Sequence, residues 1–268
     1  MKKNNIFFLI EARISSTRLP GKVLKKVYKN HCVIDYVIKN ILKAGISKEN
    51  IILAIPKNKK NNKISSYVKK KYLIKIFKGS EENVFERIHE CCRKYNIKNF
   101  VRITADNIFI DPIFLKKFIK FSKSSNADYV ASRTMAHSPN WKLKSDYNEG
   151  SSVEILKFKL LEKVKKLVNK KNYEYPTSHI FSQPKKFKLK KFKLIKEYQR
   201  LKIKRFRTTL DTKADLDFLR IVSRKLRLIP GQNNLLKILK NNKMDSYSKI
   251  NEKSEKKLAY KVIKQKNK

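Results

Sequence analysis

Short, mostly apolar segments alternate with longer amphipathic ones along the first half of the chain, and this alternation limits the possible folds more than any other feature. The apolar segments are typical of strands buried on both faces of a sheet. They predict strands over Ile6–Ala12, Ile51–Ile55, Ile74–Phe77, Phe100–Thr104 and Asp128–Ala131.

The intervening segments have the spacing of helices with one apolar face. They predict helices over Val33–Ala44, which Gly45 ends, over Glu81–Tyr95, which Ser80 caps, and from Asp111-Pro112 through Ser122. A regular order of strand and helix implies an α/β fold with a largely parallel sheet covered on both faces. Ligands of such sheets bind beyond the carboxyl ends of the strands.

The second half of the chain is more polar and is predicted in less detail. We expect helices over Ile155–Val168 and Leu216–Leu226, and an exposed strand or hairpin within Lys185–Tyr198. From Gln232 onward the chain is rich in lysine and asparagine. The sequence therefore predicts one main domain over residues 1–230 and a peripheral, lysine-rich helical tail over residues 231–268.

The chain carries a formal net charge of +45, which raises the possibility of nucleic-acid binding. Only 12 of its 67 basic residues are arginine, the residue favoured for bidentate contacts to phosphates and bases. The lysines are spread along the whole chain, without a homeodomain, zinc-finger or RRM signature. We interpret them as a solvated coat that attracts anions such as nucleotides, and we expect no specific nucleic-acid site.

Composition and cysteine usage indicate a cytoplasmic protein. The 268 residues are 41% apolar, enough for a sizeable core, yet no apolar run approaches the ~20 residues of a membrane-spanning helix. The apolar run Ile6–Ile10 is too short for a secretion signal. Three cysteines, of which Cys91 and Cys92 are adjacent, cannot form a disulfide framework. Because no apolar run is long enough to span a membrane, we expect no membrane insertion.

The segment after the first predicted strand, residues 11–24, combines hydroxyls with cations. Arg13, Ser16, Arg18 and Lys22 would meet at one strand end, which is how a cradle for phosphates is built. The segment is not a Walker A loop, because Val23 rather than Ser or Thr follows Gly21-Lys22.

Aspartates after two later strands predict a metal site. Asp106, with Asp111 a turn later, follows one strand, and Asp211 ends a short strand near the start of a helix that Thr212 and Asp215 would cap. Mg²⁺ prefers one or two carboxylates together with phosphate oxygens and water. A lone aspartate is usually a cap or an ion-pair partner, so the prediction depends on Asp106 and Asp211 acting together.

Four segments, taken in order, resemble the motifs of the cytidylyltransferase family, which includes spore-coat polysaccharide biosynthesis proteins and acylneuraminate and KDO cytidylyltransferases. They are ARISSTRLPGKVL (12–24), GSEENVFERI (79–88), VRITADNIFIDP (101–112) and TLDTKADLDFLR (209–220). The resemblance covers roughly residues 6–225. Four motifs in the right order are far more specific than any one of them.

This resemblance implies a fold, a reaction and a set of site residues. The fold would be a nucleotide-diphospho-sugar-transferase (glycosyltransferase-A-like) three-layer sandwich with a mostly parallel central sheet. The reaction would convert CTP and a sugar, expected to be an acidic one, into a CMP-sugar and pyrophosphate, with Mg²⁺ and in a homodimer. By resemblance the catalytic residues are Arg13 and Lys22, the metal ligands are Asp106 and Asp211, and Glu154 lies near the acceptor sugar. The nucleotide-binding residues would be Ala12, Arg13, Ser16, Arg18, Lys22, Ala54 and Thr104.

The chain departs from the family pattern at several positions. Glu11 stands where the family commonly has Gln, Ser15 and Ala105 where it has Gly, and Ser152 where it has Asp; Glu174-Tyr175 replaces a Glu-His pair. These substitutions motivate a second hypothesis, a catalytically silent homologue that binds a nucleotide or a partner. A third hypothesis is a lysine-rich nucleic-acid-binding protein on the same fold.

Overall fold

The structure is a computed structural model that describes residues 5–132, 153–167, 177, 180, 186–193, 196, 209–227 and 229. Within these residues the main sheet has seven strands, and a separate two-stranded hairpin follows the strand that comes first in the chain. The strands are β1 (Ile6–Glu11), β2 (Lys26–Tyr28), β3 (His31–Cys32), β4 (Ile51–Pro56), β5 (Lys75–Gly79), β6 (Asn99–Thr104), β7 (Tyr129–Ala131), β8 (Glu154–Lys157) and β9 (Leu189–Lys191). The hairpin consists of β2 and β3.

The order of the main sheet is β5-β4-β1-β6-β8-β7-β9, and only β8 runs antiparallel to its neighbours. From β1 the chain moves outward to β4 and β5, then returns to the other side of β1 as β6. The strand order therefore reverses between β1 and β6. In open α/β sheets this reversal opens a crevice at the carboxyl ends of the strands.

Helices cover both faces of this sheet. They are α1 (Val33–Lys43), α2 (Asn62–Tyr72), α3 (Val84–Lys94), α4 (Pro112–Ser124), α5 (Phe158–Lys165) and α6 (Lys213–Leu226). Side chains alternate along each strand, so Phe8 and Ile10 of β1 pack with α1, α2 and α4, whereas Leu9 packs with α3 and α5. The result is the three-layer α/β arrangement that the sequence predicted.

A third apolar cluster joins α6 to α1 and to the segment after β1. Leu216 and Leu219 of α6 pack there against Leu19 and Val33. In the same region the buried Tyr36 hydroxyl of α1 donates a 2.8 Å hydrogen bond to Ser223 Oγ of α6. These contacts bring the chain around residue 211 back to the carboxyl edge of the sheet.

Several predicted boundaries were wrong. The helix predicted from Glu81 begins at Val84, because Asn83, rather than Ser80, accepts the backbone hydrogen bond of Glu86. The helix predicted over Ile155–Val168 is instead the strand β8 followed directly by α5, because β6 pairs with residues 154–157. The predicted exposed strand is confirmed as β9, a short strand at the edge of the sheet.

Other expectations concern single residues or lie outside the described part. The three cysteines are buried and free. No helix among the described residues is long and apolar enough to cross a membrane. The predicted tail over residues 231–268, Ser152 and the pair Glu174-Tyr175 lie outside the described residues.

Candidate active site

Backbone hydrogen bonds shape the segment after β1 and fix it at the carboxyl edge of the sheet. The backbone N–H of Ile14 donates to Oδ1 of Asn61, a fully buried residue just before α2. The N–H of Gly21 donates back to Ile14 O, and the N–H of Ala12 donates to Ala54 O. Gly21 has φ +67°, a left-handed conformation that favours glycine, and it directs the chain into a single 3₁₀ turn that starts at Lys22.

Lys22 is held between the two aspartates that the sequence paired. Its ammonium nitrogen lies 2.8 Å from Asp106 Oδ2, 3.1 Å from Asp211 Oδ1 and 2.9 Å from the carbonyl oxygen of Leu210. Only 12% of the Lys22 side chain is exposed. Asp106 and Asp211 therefore converge on one point although they are far apart in sequence.

The two aspartates are held by different means. Burial would raise the pKa of Asp106, but the Lys22 ammonium and a hydrogen bond from Thr104 outweigh it, so that pKa lies below the ordinary 3.8. Asp211 also accepts a 2.8 Å hydrogen bond from Arg18 Nη2. The backbone N–H of Asp211 donates to Asp215, which forms a capping box with Thr212 at the start of α6. Thr212 and Asp215 are thus caps, as predicted.

The oxygen atoms around the Lys22 ammonium are ligands suited to a hard divalent cation such as Mg²⁺. Two carboxylates and a carbonyl oxygen face one position, which is the oxygen donor set that Mg²⁺ takes when phosphates and water complete its coordination. In the part of the chain that the structure describes, no group of three His, Cys, Asp or Glu side chains could hold a metal alone. Asp111 does not take part, because its carboxylate caps α4 by accepting from Ile113 and Phe114.

The other residues assigned to the nucleotide surround the crevice between β1 and its neighbours. Glu11, the last residue of β1, is in register with Ala54 of β4 on one side and Thr104 of β6 on the other. Ala12 and Ala54 are buried, Thr104 and Ser16 are half-buried, and Arg13 and Arg18 are exposed. All of them lie at the carboxyl edge where the strand order reverses, but their contacts with a nucleotide stay predictions.

Glu154, assigned to the acceptor sugar, belongs to a partly buried ionic network that no local pattern in the sequence indicates. Arg102 of β6 donates to Glu154 Oε1 at 2.8 Å and to Glu11 Oε2 at 3.0 Å. The hydroxyl of Tyr129 also donates to Glu154. The ion pairs follow from strand register, because Arg102 is opposite Glu154 in β8, while its register partner in β1 is Leu9, two residues before Glu11 on the same face of the strand. Register was the missing information.

The segment 79–88 supplies a further arginine near the same strand ends. Arg87 of α3 is 2% exposed, and its Nη1 donates to the carbonyl oxygen of Ser80. Burial lowers the pKa of Arg87, while nearby Glu11 opposes that change. A Cβ on Gly79 would lie 2.8 Å from Phe77 Cε1 and 3.0 Å from Arg87 Cγ, so glycine is required for this packing.

Two of the departures from the family pattern fit the backbone without strain. Ser15 and Ala105 stand where the family commonly has glycine, yet neither is among the described residues with positive φ. The buried Ala105 donates its N–H to Glu11 O at 2.8 Å, which joins the loop after β6 to the end of β1. Neither position therefore has the left-handed backbone that would favour glycine.

Comparison with solved structures places this fold among known enzymes. A cytidylyltransferase from Leptospira borgpetersenii serovar Hardjo-bovis superposes with a TM-score of 0.74 at 22% identity, covering 91% of this chain and 96% of that one. The CMP:2-keto-3-deoxy-manno-octonic acid synthetase complexed with CTP superposes with a TM-score of 0.58 at 13% identity, covering 83% and 99%. The chain thus has the nucleotide-diphospho-sugar transferase fold of nucleotidyltransferases.

Sequence comparison then identifies the family. The model of the family described as cytidylyltransferase matches residues 7–261, and the chain belongs to that family. The spore coat polysaccharide biosynthesis protein SpsF of Bacillus subtilis (strain 168) is 24% identical over 225 residues, which cover 83% of this chain and 88% of that protein. Membership places the chain among the CTP-dependent nucleotidyltransferases, as its motifs predicted.

Proposed function

We propose that the protein activates a sugar with CTP, giving a CMP-sugar and pyrophosphate for the synthesis of a surface polysaccharide or another glycan. The observation that carries this proposal is the convergence of Lys22, Asp106 and Asp211 beside the segment 12–24. Cations that can bind a triphosphate and carboxylates that can bind its metal ion meet at the crevice of the sheet. The names of SpsF and of the CMP:2-keto-3-deoxy-manno-octonic acid synthetase support a sugar as acceptor.

The proposed reaction is an in-line displacement at the α-phosphorus of CTP. A bond forms between the sugar hydroxyl oxygen and the α-phosphorus while the bond to pyrophosphate breaks, and the hydroxyl proton is released. Such a displacement needs positioning and charge neutralisation more than a covalent intermediate. Arg13 and Lys22 would stabilise the negative charge that grows on the departing pyrophosphate.

Mg²⁺ is the proposed cofactor, held by Asp106 and Asp211. When bound, it would supply charge neutralisation to the phosphate oxygens. We further propose that the enzyme acts as a homodimer in the cytoplasm and that its acceptor is an acidic sugar.

The two other hypotheses, a catalytically silent homologue and a nucleic-acid-binding protein, lead to different expectations. A catalytically silent homologue would bind CTP without turnover. A nucleic-acid-binding protein would need a recognition surface for a polynucleotide. In the described part of the chain, Lys22 and Arg18 are instead directed to aspartates of the candidate active site.

The decisive experiment measures pyrophosphate release from each of the four nucleoside triphosphates with a panel of acidic and neutral sugars. We expect release with CTP and at least one sugar, dependent on Mg²⁺. The matched variant Asp106→Asn keeps the size of the side chain but removes its charge, and we expect it to be inactive. CTP binding without release for any sugar would favour the silent homologue, and activity unchanged in Asp106→Asn would contradict the assigned site.

A further inference from the structure

The Lys22 ammonium occupies the position between Asp106 and Asp211 where a metal cation would bind. An ammonium has three N–H donors. The nitrogen of Lys22 has three oxygen partners between 2.8 and 3.1 Å, contributed by Asp106, Leu210 and Asp211. The side chain thus uses its whole donor capacity on the oxygens that would otherwise face a metal ion.

We propose that Lys22 acts as an internal cation that occupies the Asp106–Asp211 pair in the free protein and leaves it only when a nucleoside triphosphate binds. This inference rests on the proposed function, because it assigns a metal to these carboxylates. A divalent ion bound to them without nucleotide would have to share the position with the ammonium, and the two positive charges would repel each other.

Arg18 completes the neutralisation of the pair. Its Nη2 lies 2.8 Å from Asp211 Oδ1, so two cationic side chains balance two carboxylates. The Arg18 side chain is 46% exposed, whereas that of Asp211 is 8% exposed. In this arrangement little net negative charge remains to attract Mg²⁺ from solution.

A triphosphate offers Lys22 and Arg18 a competing anionic partner. Both side chains belong to the segment 12–24, and a lysine ammonium on its flexible four-carbon stem can turn from one oxygen to another without backbone movement. Each side chain that moves to the phosphates frees a carboxylate for the metal. Metal and nucleotide should therefore bind cooperatively, and each should raise the affinity for the other by the same factor.

The test measures Mn²⁺ binding to the full-length protein without nucleotide, by electron paramagnetic resonance of free Mn²⁺. The variant Lys22→Met removes the internal cation while keeping an unbranched side chain. We expect Lys22→Met to bind one Mn²⁺ at least tenfold more tightly than the wild type. The double variant Lys22→Met/Asp106→Asn should lose this gain, because the freed carboxylate is absent.

The variant Lys25→Met is the matched control, since it removes the same charge three residues away. If Lys25→Met gains as much as Lys22→Met, a general field is responsible and the proposal is wrong. Equal Mn²⁺ affinity in the wild type and Lys22→Met, or no binding by either, also overturns it. Lys22→Gln, with circular dichroism to verify its fold, is a second variant that should show a gain in the same direction.

This experiment separates the inference from the proposed function, because it uses neither sugar nor turnover. A gain in Lys22→Met together with no pyrophosphate release for any sugar would support the internal cation and contradict the proposed activity. Turnover of CTP without any gain in the Mn²⁺ affinity of Lys22→Met would support the proposed activity and contradict the internal cation.

Discussion

Lys22 and Lys25 lie three residues apart, yet they contribute to the molecule in different ways. Lys25 contributes backbone hydrogen bonds, since its N–H donates to Lys22 O and its carbonyl accepts from Val33. The Lys22 side chain, in contrast, is directed to two aspartates at the crevice of the sheet. Position relative to the strand end, rather than residue type, therefore separates a site residue from the lysine coat.

We predict that Lys22→Ala lowers kcat for pyrophosphate release more than it raises the KM for CTP. The contact between Lys22 and the triphosphate should strengthen as charge grows on the leaving group, and such contacts act on kcat. Removal of one stabilising donor typically costs about 2.7–4 kcal/mol, or a factor of ~10²–10³. Steady-state kinetics with varied CTP measures both constants.

Two further variants control this prediction. Lys22→Arg should restore activity only in part, because a planar guanidinium does not replace a compact ammonium. Lys25→Ala should be close to wild type. Equal losses in Lys22→Ala and Lys25→Ala would show that the local field, and not a specific contact, is responsible.

At the scale of elements, the turn around Gly21 connects backbone conformation to the site. Gly21 has φ +67° and Gly45, at the end of α1, has φ +80°, and a Cβ at either position would meet no atom within 4 Å. We predict that Gly21→Ala and Gly45→Ala each lower the free energy of unfolding by about 1–2 kcal/mol, the cost of left-handed backbone. Chemical denaturation of the two variants measures this cost.

The same pair of variants separates stability from activity. Gly21 immediately precedes the turn that positions Lys22, whereas Gly45 is remote from the site in the chain. Only Gly21→Ala should therefore lower kcat for pyrophosphate release. A similar loss of activity in Gly45→Ala would mean that stability alone explains the effect.

We predict that Tyr36 of helix α1 makes the stability of the protein depend on pH in the alkaline range. Burial raises the pKa of Tyr36 from 10.0 to about 12, and the hydroxyl bonds Ser223 of α6. A group whose pKa is raised by folding stabilises the fold below its unfolded pKa, and this stability is lost as pH rises toward the folded pKa. Relative to Tyr36→Phe, the wild type should lose about 1.4 kcal/mol between pH 9 and pH 11.

Denaturation of the wild type and Tyr36→Phe at each pH measures this difference, because effects of the many lysines cancel between them. A difference that stays constant from pH 9 to pH 11 would show that Tyr36 titrates normally in the folded protein.

The elements that the sequence predicts best are strands that are buried along most of their length. The strands β1, β4 and β6 lie inside the mostly parallel sheet with a paired strand on each side, and their apolar runs identify them without knowledge of their partners. The strand β8 was missed because residues 154–157 run directly into α5, and the apolar residues of both follow one helical pattern. Its strand state depends on pairing with β6, which is remote in sequence.

The residues of the candidate site also divide into those that the sequence predicts and those that it does not. Asp106 and Asp211 were predicted to converge on one metal ion, and Lys22 was assigned to the triphosphate because it follows the first strand. The contacts of Lys22 with both aspartates were not predicted. Asn61 and Arg102 were missed. Asn61 acts through a backbone hydrogen bond to Ile14, and Arg102 acts through register with Glu154, so neither role leaves a local pattern in the sequence.

At the scale of the whole molecule, the net charge of +45 acts as a diffuse field. We predict that binding to mixed-sequence DNA is weak at physiological salt and falls steeply as salt increases, because only counterion release drives it. Fluorescence anisotropy of labelled duplexes over a salt series measures both quantities. Tight, sequence-selective binding at physiological salt would instead favour the nucleic-acid hypothesis.

The long separations within the candidate site determine when it is completed during synthesis. Lys22 precedes Asp106 by 84 residues and Asp211 by 189 residues. At about 5–20 residues per second, a ribosome needs roughly 10–40 s to translate from Lys22 to Asp211. A nascent chain that stops before Asp211 therefore has Lys22 without the second of its two carboxylate partners. Premature termination should release inactive fragments, and only a chain translated through the start of α6 can assemble the site.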